Sequence, residues 1–151
     1  MTNIILFTFF IVCVRESLAV TEEQEYKVCF KGPQKDGNLC MIAEVLVDTF
    51  TIYYRMDELS KQLVDMETLE DYNTGYGASR VASQEACLIR QLEKTFEARL
   101  SYLKSHDQTT LVEPEMDYEM KAVPVENPKE EIGDYLTAFC GELPMFKMIK
   151  G

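Results

Sequence analysis

Four cysteines placed after an N-terminal apolar run constrain this chain more than any other feature. The run is Ile4 to Val14, IILFTFFIVCV. It is too short to span a bilayer, which takes about 20 residues. It has the character of the hydrophobic centre of a secretory signal peptide, and small Ser17 and Ala19 follow where a signal peptidase needs them. Residues 1–19 are therefore read as a signal peptide cleaved after Ala19, in preference to a retained membrane anchor. Cys13 leaves with the run. Cys29, Cys40, Cys87 and Cys140 remain. An even count in an oxidising compartment points to two disulfides, with three pairings open.

The chain has 151 residues, which suits one domain, and its 46% hydrophobic share supports a packed core. A formal net charge of −11 has the wrong sign for nucleic acid or an anionic membrane, and it reads as a solvated acidic surface. Catalytic signatures are missing. The sequence contains no G-x-S-x-G, H-E-x-x-H or C-x-x-C. The one histidine, His106, sits between Ser105 and Asp107 and reads as an exposed loop residue. Gly75 and Gly77 lack the Lys-Ser/Thr and the following helix that a phosphate loop needs. Glu130 and Glu131 read as ordinary helix-start charges. No catalytic residue, metal ligand or cofactor is expected.

Residues 20–27 are acidic and read as loose. Gly-Pro and Asp-Gly turn signals lie between Cys29 and Cys40, and two extended arms around Asp36-Gly37 would bring those cysteines together. Met41 to Met56 is dense in β-branched and aromatic residues and reads as one long strand or two. Leu59, Leu63, Met66 and Leu69 sit at helical spacing, so Asp57 to Glu70 is read as a short helix, with a polar loop as the rival. Tyr76 to Ala82 and Ala86 to Leu92 read as a hairpin turning at Ser83–Glu85. Phe96, Leu100 and Leu103 mark an amphipathic helix that Ser105 to Thr110 ends. Tyr118 to Val125 reads as a strand ending at Pro124. Asn127, Pro128 and Glu130 look like the cap, first turn and capping box of a second helix. Ile132, Tyr135, Leu136, Phe139 and Cys140 form its stripe, and Gly141 closes it. The tail ELPMFKMIK adds a last strand. This order is an α+β fold with an antiparallel sheet.

Three segments then line up: EDYNTGYGASRV around Asp71, ACLIRQL at Cys87, and YLTAFCGELPMFKM around Cys140. Their order resembles a BRICHOS domain, especially the gastrokine-like and invertebrate versions, over about Asp48 to Lys150. The family's sparse signature is one aspartate and two cysteines, here Asp71, Cys87 and Cys140. Residues 20–47 become an N-terminal extension with a cystine-closed hairpin, and 48–150 the domain. The resemblance implies a central antiparallel sheet with one α-helix on each face. It also implies that Cys87 pairs with Cys140, leaving Cys29 with Cys40.

In function, the resemblance implies a secreted chaperone or pro-domain that binds β-prone, aggregation-prone polypeptide. The client would come from its own precursor or from another secreted protein. Such a segment offers unpaired backbone and apolar side chains that strand addition can capture. Tyr72, Tyr76, Leu88 and Phe146 are the candidate client-face residues. Composition reads Asp71 as a turn former bonding backbone N–H groups; the resemblance makes it a packed acid with a raised pKa. The family's client segment usually follows the domain, and this sequence stops at Gly151. That raises an alternative: a secreted structural or signalling, gastrokine-like mucosal domain without holding activity. Assembly into a homo-oligomer is left open. A secreted hydrolase rests on the abundance of acids alone.

Overall fold

A computed structural model describes residues 23–31, 37–111 and 120–151. The expected signal peptide, the Gly32-Pro33 turn and Asp36 lie outside the described residues. Strands β1 (Glu23–Lys31) and β2 (Asn38–Leu46) form an antiparallel hairpin. A 3-10 turn at Val47–Thr49 leads to β3 (Thr51–Met56). The Met41–Met56 run is thus two strands. Next come β4 (Met66–Asp71), β5 (Tyr76–Val81) and β6 (Ala86–Gln91). Helix α1 (Phe96–His106) precedes the short β7 (Thr109–Leu111). After β8 (Met120–Pro124), helix α2 (Pro128–Cys140) leads to β9 (Met145–Lys150).

The strands make one sheet in the order β7-β1-β2-β3-β4-β5-β6-β9-β8. The expectation of a purely antiparallel sheet is corrected: β7 pairs parallel to β1, and β9 parallel to β6. Both parallel partners return after a long connection that contains a helix, as parallel pairing requires. Residues from Glu23 on, read as loose, instead pair in β1 across the whole length of β2.

The helix read over Asp57 to Glu70 is also corrected. Among these residues there is one 3-10 turn, Ser60–Gln62, and then β4. The apolar spacing never becomes a buried stripe, because Leu59 and Leu63 are 78% and 62% exposed. Local polar bonds decide the turn instead. Asp57 Oδ1 accepts the Ser60 N–H at 2.7 Å, and Ser60 Oγ accepts the Cys40 N–H at 2.8 Å. The rest of the segment alternates between two buried faces, as a central strand does.

Helix α1 is capped by Thr95, whose side chain accepts the Ala98 N–H at 3.2 Å. It runs past Ser105 to His106, further than the sequence suggests. It buries Phe96 and Leu103 against Val28, Ala43, Val45, Ile52 and Tyr54. Helix α2 buries Ile132, Leu136 and Cys140 against Leu69, Ala78, Cys87 and Ile89. Pro128 opens α2, but Asn127 makes no side-chain cap. Gly133, at φ 83°, breaks the helical run there. A Cβ at Gly133 would also sit 3.1 Å from Thr74 Cγ2, so glycine lets α2 approach the β4–β5 turn.

Cys29 and Cys40 stand opposite each other in the β1–β2 register and are bonded. The second bridge joins Cys87 in β6 to Cys140 at the end of α2, with a Cα separation of 5.6 Å. Both of its cysteines are fully buried. Loop-closure entropy gives the bridge spanning 53 positions about 4 kcal/mol, and the one spanning 11 about 3 kcal/mol. Replacing Cys87 and Cys140 together by Ala is expected to lower unfolding stability by about 4 kcal/mol or more, since cavity terms add. The Cys29/Cys40 pair is expected to cost less. Urea unfolding of both double variants measures the order, and the reverse order would contradict α2 being clamped to the sheet.

Candidate functional site

The β4–β5 turn begins at Asp71, which is 4% exposed. Its Oδ1 accepts the Asn73 backbone N–H at 3.0 Å and the Asn73 side-chain amide at 2.9 Å. Its carbonyl accepts the Gly75 N–H at 3.0 Å. Asn73 Nδ2 also donates to the Thr49 carbonyl at 2.7 Å, and Tyr72 N–H donates to the Phe50 carbonyl at 3.0 Å. Asp71 is therefore both packed and a turn former, and its turn is stitched to the one before β3.

The neighbouring Glu70 is the acid around which charges gather, and sequence reasoning missed it. Glu70 is 1% exposed. Tyr54 donates its hydroxyl to Oε2 at 3.2 Å, and Tyr72 donates to the same oxygen. Arg90 Nη2 donates to Oε1 at 2.8 Å, and Arg99 Nε lies 3.8 Å from Oε2. Glu70 and Asp71 are adjacent in a strand and so project to opposite sides. The Asp71 carboxylate consequently has no part in this cluster.

Gly77 explains how Arg90 reaches Glu70. The three are aligned across β4, β5 and β6, with Glu70 opposite Gly77 and Gly77 opposite Arg90. A Cβ on Gly77 would meet Leu92 Cδ2 at 3.3 Å and Glu70 Cγ at 3.5 Å. The bare glycine leaves a lane along which the guanidinium crosses one strand. The available signal was the second glycine of GYG in the interior of a strand, where glycine marks a close approach.

Burial and the Glu70 charge push the Tyr54 and Tyr72 phenols up. Burial and the hydrogen bond to Glu67 push Tyr53 up to about 12. Burial works against the Arg99 charge, but Glu70 outweighs it and the guanidinium is held more firmly protonated. A cavity of about 190 Å³ opens between α1 and the sheet above this cluster. Val28, Phe30, Met41 and Leu103 form its apolar walls, and Glu70, Arg90 and Arg99 its polar part.

The four candidate client-face residues do not gather at one place. Tyr72 packs with the α1 cluster, edge-on to Phe96 at 5.6 Å. Tyr76 packs with the α2 cluster, under the Lys147 ammonium at 5.2 Å. Leu88 and Phe146 face each other across β6 and β9, and both are half-buried. His106 stacks on Tyr102 at the end of α1, and its Nδ1 lies 2.9 Å from the Tyr102 carbonyl. Among the described residues, no group of three or more His, Cys, Asp or Glu is arranged to hold a metal ion.

Glu70→Gln is expected to cost about 3 kcal/mol, because it leaves the largely buried Arg99 without its counter-charge. Asp71→Asn keeps the Oδ1 acceptor and is expected to stay within about 1 kcal/mol of the parent. Chemical denaturation of the two variants checks the contrast. The tyrosines add an alkaline signature. A phenol whose folded pKa is raised contributes stability that is complete below pH 10 and lost as pH climbs through the folded value. Phenolate absorbance should thus show a late group ionising between pH 10 and about 12 or above, together with unfolding. Ionisation of every tyrosine near pH 10 with the fold intact would contradict the cluster.

A family model described as the BRICHOS domain matches residues 64–147. No curated protein and no solved structure matches the chain. The matched segment begins before β4, takes in the Asp71 turn and both ends of the Cys87–Cys140 bridge, and stops within β9. With more than half of its length matched, and with this aspartate and cystine in place, the chain belongs to the BRICHOS family.

Proposed function

We propose that this chain is a secreted chaperone or pro-domain that holds β-prone polypeptide segments and keeps them from aggregating. Family membership supports the coarse reading. Two disulfides suit an oxidising compartment. Among the described residues no helix is long and apolar enough to cross a membrane.

The observation that carries the reading is a row of side chains across the sheet. Thr68, Ser79, Leu88, Phe146 and Pro124 are paired in turn across β4, β5, β6, β9 and β8. They share one side, because directly paired residues project together. Helix α1 makes its main contacts with β1, at the far end of the sheet, and α2 with β4 and β5. We place the two helices on opposite faces. Adjacent Tyr53 and Tyr54 support this, since they pack with the α2 and α1 clusters respectively. The Leu88–Phe146 row then lies on the α1 face beyond α1, where an extended apolar segment can settle.

The test is fibril formation by an uncharged β-prone peptide in the presence of the full chain. Slowed growth at comparable concentration is expected. Replacing Leu88 and Phe146 together by Thr, which keeps β-propensity, should weaken the effect with circular dichroism unchanged. A parent protein that leaves fibril growth unaltered contradicts the chaperone reading. Saturable binding of a partner without suppression would favour the structural or signalling alternative.

A further inference from the structure

Strands β6 and β9 part company before either ends. Their parallel register runs from Cys87–Met145 to Ile89–Lys147, while β6 continues to Gln91 and β9 to Lys150. Cys87 donates its N–H to the Pro144 carbonyl at 2.9 Å, on the β9 side. Leu92 donates to Gly75 at 2.8 Å, on the β5 side. Alternation along the strand therefore turns the backbone of Gln91 toward β9, past the point where pairing stops. By the same alternation the Met148 carbonyl of β9 faces back. The result is a fork with a strand edge on each side.

A cleft of about 840 Å³ lies in this fork. That is within the roughly 300–1,000 Å³ of built ligand sites. Arg90, Lys94, Arg99, Lys147 and Lys150 line it, against the single acid Glu93. The whole chain has 15 Lys and Arg against 26 Asp and Glu, so a third of its basic residues meet at one place on an acidic protein. Some of this charge is already engaged. Arg90 holds Glu70, Lys147 lies 3.3 Å from Glu131, and Lys150 lies 3.4 Å from Glu93. Lys94 rests over the Tyr102 ring at 4.7 Å. Counting Glu70 as well still leaves the lining positive. Arg90, Lys94 and Lys150 line the α1 side of the cleft, and Tyr76, Lys147 and Ile149 its other side.

We propose that the β6–β9 fork is a docking cleft for an extended acidic segment of another protein, which enters as an added strand. This rests on the reading of the domain as a holder of β-prone segments and names the segment's chemistry. Backbone pairing supplies the grip. Acidic side chains at alternate positions meet Arg90, Lys94 and Lys150 on the α1 side, and apolar ones between them meet Tyr76 and Ile149 on the other. A nucleic acid is also anionic but offers no strand edge, and the −11 net charge repels a polyanion at long range.

The experiment uses the full chain with both disulfides formed and a fluorescein-labelled probe of five Glu-Val repeats, read by anisotropy. Saturable binding is expected. It should weaken about tenfold in Lys94→Glu combined with Lys150→Glu, and fall with added salt. Lys94→Glu alone, at a side chain that makes no ion pair among the described residues, should weaken it in the same direction. A Lys-Val probe should not bind, and N-methylation of alternate probe amides should abolish binding. Equal binding of the Lys-Val probe, indifference to the charge reversals, indifference to N-methylation, or equally tight binding of an oligothymidylate would each overturn the proposal. The parent is also assayed against the uncharged fibril-forming peptide. Suppression there without Glu-Val binding refutes the acidic cleft and leaves the holding function standing; loss of both refutes both.

Discussion

Cys87 holds two parts of the chain at once, and the second half of the fold depends on it. Its sulfur is bonded to Cys140 at the end of α2, and its backbone N–H binds Pro144, just before β9. Between those two partners lie only Gly141, Glu142 and Leu143. The same residue therefore fixes where α2 stops and where β9 starts. Because β9 begins beside the start of β6, it must run parallel to it, and a parallel partner set by its first residues is free to diverge later. The fork at Ile89–Lys147 follows from a clamp applied at one end of the pair.

The other organising constraint is the buried Glu70. A lone carboxylate in a core would cost several kcal/mol. Here two phenols and two guanidiniums surround it, drawn from β3, the β4–β5 turn, β6 and α1. Such an arrangement adds little net stability over an apolar core, but it tolerates few alternatives. Arg90 must cross above a glycine, and Arg99 must present from the first turn of α1. Tyr72 must keep its ring against Phe96 while its hydroxyl reaches the acid. Phe50 supports this from the other side, 5.4 Å from Phe96 and nearly perpendicular to it. The cluster thus specifies how α1 sits on the sheet, and charge placement does what apolar packing alone would leave loose.

The sequence made some of this legible and concealed the rest for identifiable reasons. The Asp71 turn was readable because its chemistry is local: aspartate, asparagine and glycine bond one another within a few residues. The β5–β6 hairpin and the stripe of α2 were readable because alternation and the i, i+4 spacing are also local. The family resemblance supplied the Cys87–Cys140 pairing, which spacing left open. Glu70 was hidden beside the more conspicuous Asp71, since its partners Arg90 and Arg99 lie far along the chain and only the sheet register unites them. Strand direction was hidden for the same reason, as a parallel β9 and an antiparallel one have the same side-chain pattern. Leu59 and Leu63 misled because apolar spacing was taken for a buried face, while the Asp57–Ser60 bond formed a turn that leaves both exposed.

A basic cleft on an acidic protein imposes its own physics on recognition. At physiological salt, charge is felt over about 8 Å, so the surrounding acids and the cleft's cations act at different ranges. A flexible acidic chain approaching from afar meets the net charge of −11 and is repelled. Only a segment that already lies at the fork gains from the lysines and arginines, and only an extended one places alternate acids on them. Electrostatics here discriminates more than it attracts, and most of the binding energy falls to backbone pairing and apolar contact at Tyr76 and Ile149. The same balance protects the protein from its own surface. The fork carries the kind of exposed strand edge that promotes self-aggregation, and its ring of like charge is what keeps neutral or basic edges from pairing there indiscriminately.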